Sequence, residues 1–253
     1  MIKLNGHIVT PTIFPDGTSQ VWKLPLDKVC NPAAKIEWDF ENEAEIFHIL
    51  QLADLCNACT AGIDKVILSM TTMPYARQDK NITNNSTFAL KTFLSILTSF
   101  QRFKRIEIVD IHNASSIERY GDFIVNKIPD ERIKEVIDEV KPDLIVFPDA
   151  GASMRGYNTQ GLTSFNLEKK RNQSTGEIEG LKTALPLNLT GLKLLILDDI
   201  CDGGKTFIEA AKLLYNMGAS EVHLYTSHGL YTKGTQVLKE AGIKRIFNYK
   251  GEV

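Results

Sequence analysis

Two adjacent carboxylates, a third, a glycine pair and a lysine–threonine follow one another in Asp198-Asp199-Ile200-Cys201-Asp202-Gly203-Gly204-Lys205-Thr206. Paired carboxylates accept hydrogen bonds from vicinal hydroxyls. A glycine turn that opens a helix points free backbone N–H groups at an anion. Side by side, these features predict a phosphorylated sugar, ribose phosphate in particular, rather than a bare nucleotide tail. Gly204-Lys205-Thr206 imitates the end of a P-loop, but that loop requires glycine where Asp199 stands, so the P-loop reading fails. A turn that merely joined strand to helix would leave two neighbouring carboxylates without a packing purpose.

The elements that must position these groups can be read from periodicity. Leu194-Leu195-Ile196-Leu197 is a continuous apolar run, expected as a buried parallel strand that ends at the acidic pair. Phe207, Ala211 and Leu214 would share one face of the helix that follows. In open α/β sheets the ligand crevice lies past the carboxyl ends of the strands. Strands are expected at Val66–Met70, Ile106–Val109, Phe123–Val125, Leu144–Phe147, Leu162–Leu167 and Val222–Tyr225. Helices are expected from Glu41 to about Ala61, Ser86 to Phe100, Glu131 to Val140, after Gly151, and Lys233 to Ala241. The alternation predicts an α/β chain of two similar halves, 1–126 and 127–253. An opening hairpin should turn at Phe14-Pro15-Asp16-Gly17, Pro25 to Asp39 reads as irregular, and Lys169 to Leu185 reads as a mobile basic loop.

Two further clusters sit at expected strand ends, Asp110 with His112 and Phe147-Pro148-Asp149-Ala150-Gly151. With the acidic pair they would converge at one sheet edge, where Mg²⁺ escorting ATP phosphates needs one or two such groups. A histidine by itself is more often a satisfied hydrogen-bonding residue, and only the company of His112 favours a functional role. Lys169 and Arg171 supply cations of the kind phosphoryl transfer requires, although charge runs are commonly just solvated.

The net charge of −2, with 43% hydrophobic and 24% charged residues, describes a globular chain without the basic excess of a nucleic-acid binder. No run approaches a transmembrane length and the start lacks a secretory apolar region, so a cytoplasmic location is expected. Four cysteines are too few and scattered for a disulfide framework. Cys56 and Cys59 are expected to pack in a helix rather than bind metal.

Several motifs resemble one family in order along nearly the whole chain. Pro74-Tyr75-Ala76-Arg77-Gln78-Asp79 looks like the stretch that marks ribose-phosphate pyrophosphokinases, and Phe14-Pro15-Asp16-Gly17 resembles their early nucleotide-contacting turn. Asp110-Ile111-His112, Pro148-Asp149-Ala150-Gly151 and Glu168-Lys169-Lys170-Arg171 resemble three more of their segments, and the acidic strand with its glycine turn resembles the ribose-binding loop of the phosphoribosyltransferase superfamily. The resemblance implies two type I phosphoribosyltransferase domains, each a mainly parallel sheet flanked by helices, with a strand and helix beyond the point where this sequence stops. It implies transfer of the β,γ-diphosphate of ATP to the anomeric hydroxyl of ribose 5-phosphate, giving phosphoribosyl diphosphate and AMP. His112 and Asp149 would contact Mg²⁺; Arg77, Gln78 and Asp79 would hold ATP, and Phe14 and Asp16 would reach ATP on a neighbouring subunit of a homo-oligomer, dimer or hexamer. Lys169, Arg171 and His112 would serve catalysis, and Asp198, Asp199, Asp202, Gly203, Gly204, Lys205 and Thr206 would hold the ribose phosphate. Gly203 departs from the family's threonine, which opens room for a 5-substituted acceptor such as ADP-ribose; Thr18 departs from its glutamate. A regulatory, non-catalytic member is the other alternative.

Overall fold

The computed structural model describes residues 1–31, 33–60, 66–171, 178–183 and 187–253, and the side chains of 60, 169–171 and 178–179 lie outside that description. The chain divides into two compact units, Met1–Lys127 and Ile128–Val253. Each is a sheet with helices packed on it.

In the first unit the sheet order is β2-β1-β5-β6-β7-β8, with β1 Ile2–Leu4, β2 His7–Val9, β5 Lys35–Trp38, β6 Ile67–Met70, β7 Arg105–Val109 and β8 Ile124–Lys127. The strands from β5 to β8 are parallel neighbours, and β1 is antiparallel to both β2 and β5. Helices α1 Leu26–Val29, α2 Ala44–Thr60 and α3 Ala89–Thr98 complete the unit. In α2 the buried Ile49, Leu52, Ala53 and Cys56, and in α3 Leu90, Phe93, Leu94 and Leu97, recur at i, i+3, i+4, i+7. That spacing lays one apolar stripe on the sheet. A separate two-stranded ribbon pairs β3 Thr12–Ile13 with β4 Ser19–Gln20 around the Phe14–Gly17 turn.

The segment 25–39, expected to be irregular, contains α1 and the interior strand β5. Lys35 and Glu37 alternate with the buried Ile36 and Trp38, so this short strand lacks the continuous apolar run that announces its neighbours. Trp38 Nε1 donates to Glu45 Oε2 over 2.9 Å. The same buried carboxylate accepts from the Met1 amino group at 3.0 Å and from the Glu41 N–H at 2.8 Å.

Cys56 packs in the core as expected, but Cys59 does not: it forms a disulfide with Cys30, 29 residues away. This bond joins the end of α1 to the last turn of α2, a proximity that sequence spacing does not reveal.

The second unit has the sheet order β11-β10-β9-β12-β13-β14-β15. Its strands are β9 Leu144–Phe147, β10 Ser164–Arg171, β11 Ile178–Thr183, β12 Lys193–Cys201, β13 Glu221–Gly229, β14 Ile243–Asn248 and β15 Gly251–Glu252. The run from β10 to β14 is parallel, and β11 and β15 close the edges antiparallel. Helices α4 Asp130–Val140, α5 Ala150–Ser153, α6 Lys205–Asn216 and α7 Gln236–Glu240 pack around it. Alternation along β12 feeds two cores. Leu194 and Ile196 face Phe207, Ala210, Ala211 and Leu214 of α6. Leu195 and Leu197 face Ile133, Val136, Ile137 and Val140 of α4.

Residues 169–185 are corrected from a mobile loop to a strand pair at their described ends, with Lys169 opposite Leu181 and Lys170 opposite Gly180. The final helix starts at Gln236 rather than Lys233, which leaves Lys233 in the preceding turn.

Candidate functional site

In the second unit, β12 does not end at the acidic pair. Asp198 pairs with Thr226, Ile200 with His228 and Cys201 with Gly229, so both carboxylates stand inside an extended strand. Tertiary pairing with β13 carries the ladder past the point where apolar residues stop. The Asp199 N–H donates to Asp198 Oδ1 over 2.9 Å. Burial first, and then the charge of Asp199, push the Asp198 carboxyl up, and Asp149 adds to the effect.

Arg155 offsets this crowding of negative charge and went unread in the sequence. Its Nη1 lies 3.6 Å from Asp199 Oδ2, with side-chain exposures of 10% and 5%, and its Nε donates to the Tyr157 hydroxyl over 2.9 Å. Tyr157 stacks on Phe147 with ring centroids 6.5 Å apart. Asp149 positions the segment, because its Oδ1 accepts the Ala152 N–H at 3.1 Å and so caps the single turn of α5. A signal was present, a lone arginine closely following a strand-end aspartate, but nothing local separates it from a surface cation.

Between β12 and α6 the chain turns at Asp202-Gly203-Gly204. Gly204 has φ 76° and ψ 0°, and a Cβ there would also lie 2.8 Å from Leu238 Cδ2, so backbone conformation and close packing both demand glycine. The N-cap of α6 is Gly204, which has no side chain to cap the first N–H groups, and the first turn carries no acid. Those donors and the positive end of the helix suit an anion. Asp202 is held from the side, its Oδ1 accepting the Thr232 hydroxyl at 2.8 Å and its carbonyl accepting the Thr232 N–H at 3.2 Å. Lys205 turns to solvent, 85% exposed, with Nζ 3.9 Å from Glu209, and Thr206 is half-buried.

Beside Gly203 runs the stem of the exposed Lys233, whose Cε, Cδ and Cγ would lie 3.5, 3.6 and 3.7 Å from a Cβ at position 203, ordinary van der Waals contact.

The first unit holds Phe14, Asp16, Arg77, Gln78, Asp79, Asp110 and His112. Tyr75 adopts φ 62°, a left-handed conformation that costs a side-chain-bearing residue about 1–2 kcal/mol. Its ring packs 5.4 Å from that of Phe93, and its hydroxyl donates to Glu43 Oε1 over 2.6 Å. That bond to a carboxylate raises the phenol to about 12. The strained turn presents Arg77 and Gln78 at the surface and leaves Asp79 half-buried. Asp79 Oδ2 accepts from Asn113 Nδ2 at 2.8 Å. Asp110 is fully buried at the end of β7 with φ 47°, and His112 is exposed.

In the early turn, Asp16 Oδ1 accepts from the Thr18 hydroxyl and N–H at 2.7 and 3.0 Å, which holds the Asp16 carboxyl below its ordinary range. The Phe14 ring lies 6.3 Å from that of Trp22. Ser19 Oγ meets His48 Nε2 at 2.7 Å, and the Val21 N–H donates to Gln51 Oε1 at 2.8 Å, so the ribbon is docked on α2.

The three strand-end clusters therefore belong to two sheets rather than one. Asp110 and His112 end a strand of the first, while Asp149, Asp198 and Asp199 lie at the second. The side chains of Lys169 and Arg171 lie outside the described residues; their backbones are strand up to Arg171.

Residues 123–252 match the phosphoribosyl transferase domain family. Over nearly its whole length the chain is similar to curated proteins called ribose-phosphate pyrophosphokinase. The one from Mycoplasmopsis pulmonis is 30% identical over 96% of this chain and 75% of its own. That from Pyrococcus abyssi is 28% identical over 92% and 81%. The fold is similar to the crystal structure of phosphoribosylpyrophosphate synthetase from Mycobacterium smegmatis, with a TM-score of 0.71, 20% identity, and coverage of 95% of this chain and 79% of that one.

Proposed function

The chain belongs to the ribose-phosphate pyrophosphokinase family, and from that premise we propose that it transfers the β,γ-diphosphate of ATP to the anomeric hydroxyl of ribose 5-phosphate. The oxygen of that hydroxyl forms a bond to the β-phosphorus, the bond from that phosphorus to the α,β-bridging oxygen breaks, AMP leaves with that oxygen, and the hydroxyl proton is released to water. The carrying observation is one arrangement in the second unit: half-buried Asp198 and buried Asp199 on the strand that leads through the glycine turn into α6, whose N-cap Gly204 supplies no side-chain cap. Carboxylates accept the 2- and 3-hydroxyls, and the N–H groups after Gly203 receive the 5-phosphate.

Little acid–base chemistry is asked of the protein. The reaction runs mainly on alignment and on stabilising charge that spreads over the transferring phosphorus. In this reading Lys169 and Arg171 supply that stabilisation, Arg77 and Gln78 hold ATP, Asp79 orients their segment, and Phe14 and Asp16 serve a neighbouring subunit's ATP in a homo-oligomer. Mg²⁺ bound to ATP takes one or two protein ligands and fills the remainder with phosphate and water. The donor types of Asp149 and His112 suit it. Among the described residues no group of three or more His, Cys, Asp or Glu could hold a metal, and a cation carried on phosphate requires none. When bound, it would neutralise phosphate charge. No described helix is long and apolar enough to cross a membrane. A cytoplasmic enzyme belongs to the same proposed reading.

The test is AMP release from MgATP with ribose 5-phosphate or ADP-ribose as acceptor, resolved by chromatography. Release with ribose 5-phosphate is the expected outcome. Release with neither would leave a regulatory, non-catalytic member.

A further inference from the structure

Gly203 contributes no side chain to the phosphate turn, yet the space over it is not empty. The turn of residues 231–234 folds across it: Leu230 and Tyr231 N–H groups reach the Cys201 carbonyl at 2.8 and 3.3 Å, Thr232 grips Asp202 by two bonds, and Gly234 N–H closes on Tyr231 O at 2.7 Å. Lys233 is thereby held by its backbone beside the turn, and its methylenes would lie in van der Waals contact with a Cβ at Gly203. Among the described residues none forms a hydrogen bond or ion pair with its ammonium. A lysine stem commonly covers surface while its charged head reaches outward. Here it crosses the turn that leads into the N–H groups of α6. Lys205, the nearer lysine in sequence, instead points to solvent beside Glu209.

We propose that Lys233 is the side-chain anchor for the sugar's 5-phosphate and that it sets acceptor choice in favour of a terminal phosphate over a 5-phosphodiester. This rests on the reading of the α6 turn as the ribose-phosphate site. A phosphomonoester brings about −1.5 to −2 charge and three acceptor oxygens, whereas a diester brings a single charge and a bulky substituent. The ammonium rewards the first. The stem also borders the space that a side chain at 203 would take, so a 5-substituent passing over Gly203 would have to displace it.

Two readouts test this, turnover and direct binding of ribose 5-phosphate by calorimetry, on the wild-type chain and on Lys233→Met, Lys233→Arg and Gly203→Thr/Lys233→Met. Losing one charge-assisted bond should weaken ribose 5-phosphate binding about 10- to 100-fold and raise its KM alike, with the KM for ATP unchanged. Arginine should restore part of the loss, and threonine at 203 should restore part by supplying a hydroxyl. Wild-type chain should prefer ribose 5-phosphate to ADP-ribose. Binding to Lys233→Met within twofold of wild type, or a wild-type preference for ADP-ribose, would overturn the proposal. Binding without turnover would instead remove the diphosphotransferase reading and leave Lys233 judged by affinity. Failure of the wild-type chain to bind ribose 5-phosphate would remove both.

Discussion

Asn113 Nδ2 donates to Asp79 Oδ2 over 2.8 Å, and this bond ties the segment after β6 to the segment after β7. Asn113 also turns its own chain, its Oδ1 accepting the Ser115 N–H and hydroxyl at 3.2 and 2.8 Å. One amide thus sets two loops that the family reading assigns to ATP and metal.

The substitution Asn113→Asp keeps the acceptor that caps the turn but places a carboxylate against Asp79. The KM for ATP should rise about tenfold, the scale of one lost bond to a charged group, while binding of ribose 5-phosphate stays as it was. Unaltered steady-state kinetics for ATP would show that the tie does not serve the nucleotide.

Arg155 and Asp199 are a buried ion pair, and removing one member of such a pair typically costs about 3–5 kcal/mol because the other charge is left uncompensated. Arg155→Met should therefore lower the unfolding midpoint. Without the cation the acidic pair holds its protons to higher pH, so the acidic limb of the pH–rate profile should move upward. A profile unmoved by the substitution would make Arg155 a structural residue alone.

Asp198 gives a pH signature of its own. Its folded-state carboxyl titrates above the ordinary range, so between about pH 4 and the folded value the native chain binds more protons than the unfolded one, and stability falls as pH rises. Asp198→Asn removes that loss. The Tm advantage of the variant should be small at pH 5 and larger at pH 8, with activity reduced because an acceptor for the sugar hydroxyls is gone. A Tm difference independent of pH would contradict the raised value.

The Cys30–Cys59 disulfide closes 29 residues. Chain-entropy arguments give such a closure about 3–4 kcal/mol at most. In oxidising buffer Cys30→Ser should unfold at lower denaturant than wild type, and dithiothreitol should bring the two midpoints together. Midpoints that never separate would mean that the pair does not oxidise in solution, as a reducing compartment favours.

Much of this was legible in the chain because the signals are local. Ile133, Val136, Ile137 and Val140 specify a helix face by spacing alone, and β9 was bounded at Leu144 and Phe147 by its unbroken apolar run. The glycine turn between β12 and α6 was legible for a local reason too, since Gly204 takes a backbone conformation that other residues resist. Strand β5 was illegible for the opposite reason: its charged residues alternate with Ile36 and Trp38, and only the neighbours β1 and β6 make it interior.

The sequence by itself determined the α/β alternation, the acidic pair beside a helix-opening turn, and a chain of motifs that pointed to a single family. Tertiary structure alone decided that β12 continues through Asp198 and Asp199, since β13 supplies the hydrogen bonds that the apolar pattern does not predict. It decided that Arg155 shields the carboxylates and that Lys233 covers Gly203. Those contacts depend on turns that fold back across the chain, 30 residues in the case of Thr232 and Asp202. Residue types record the local conformation each position can adopt, whereas a side chain's partner is fixed only when distant backbone arrives beside it.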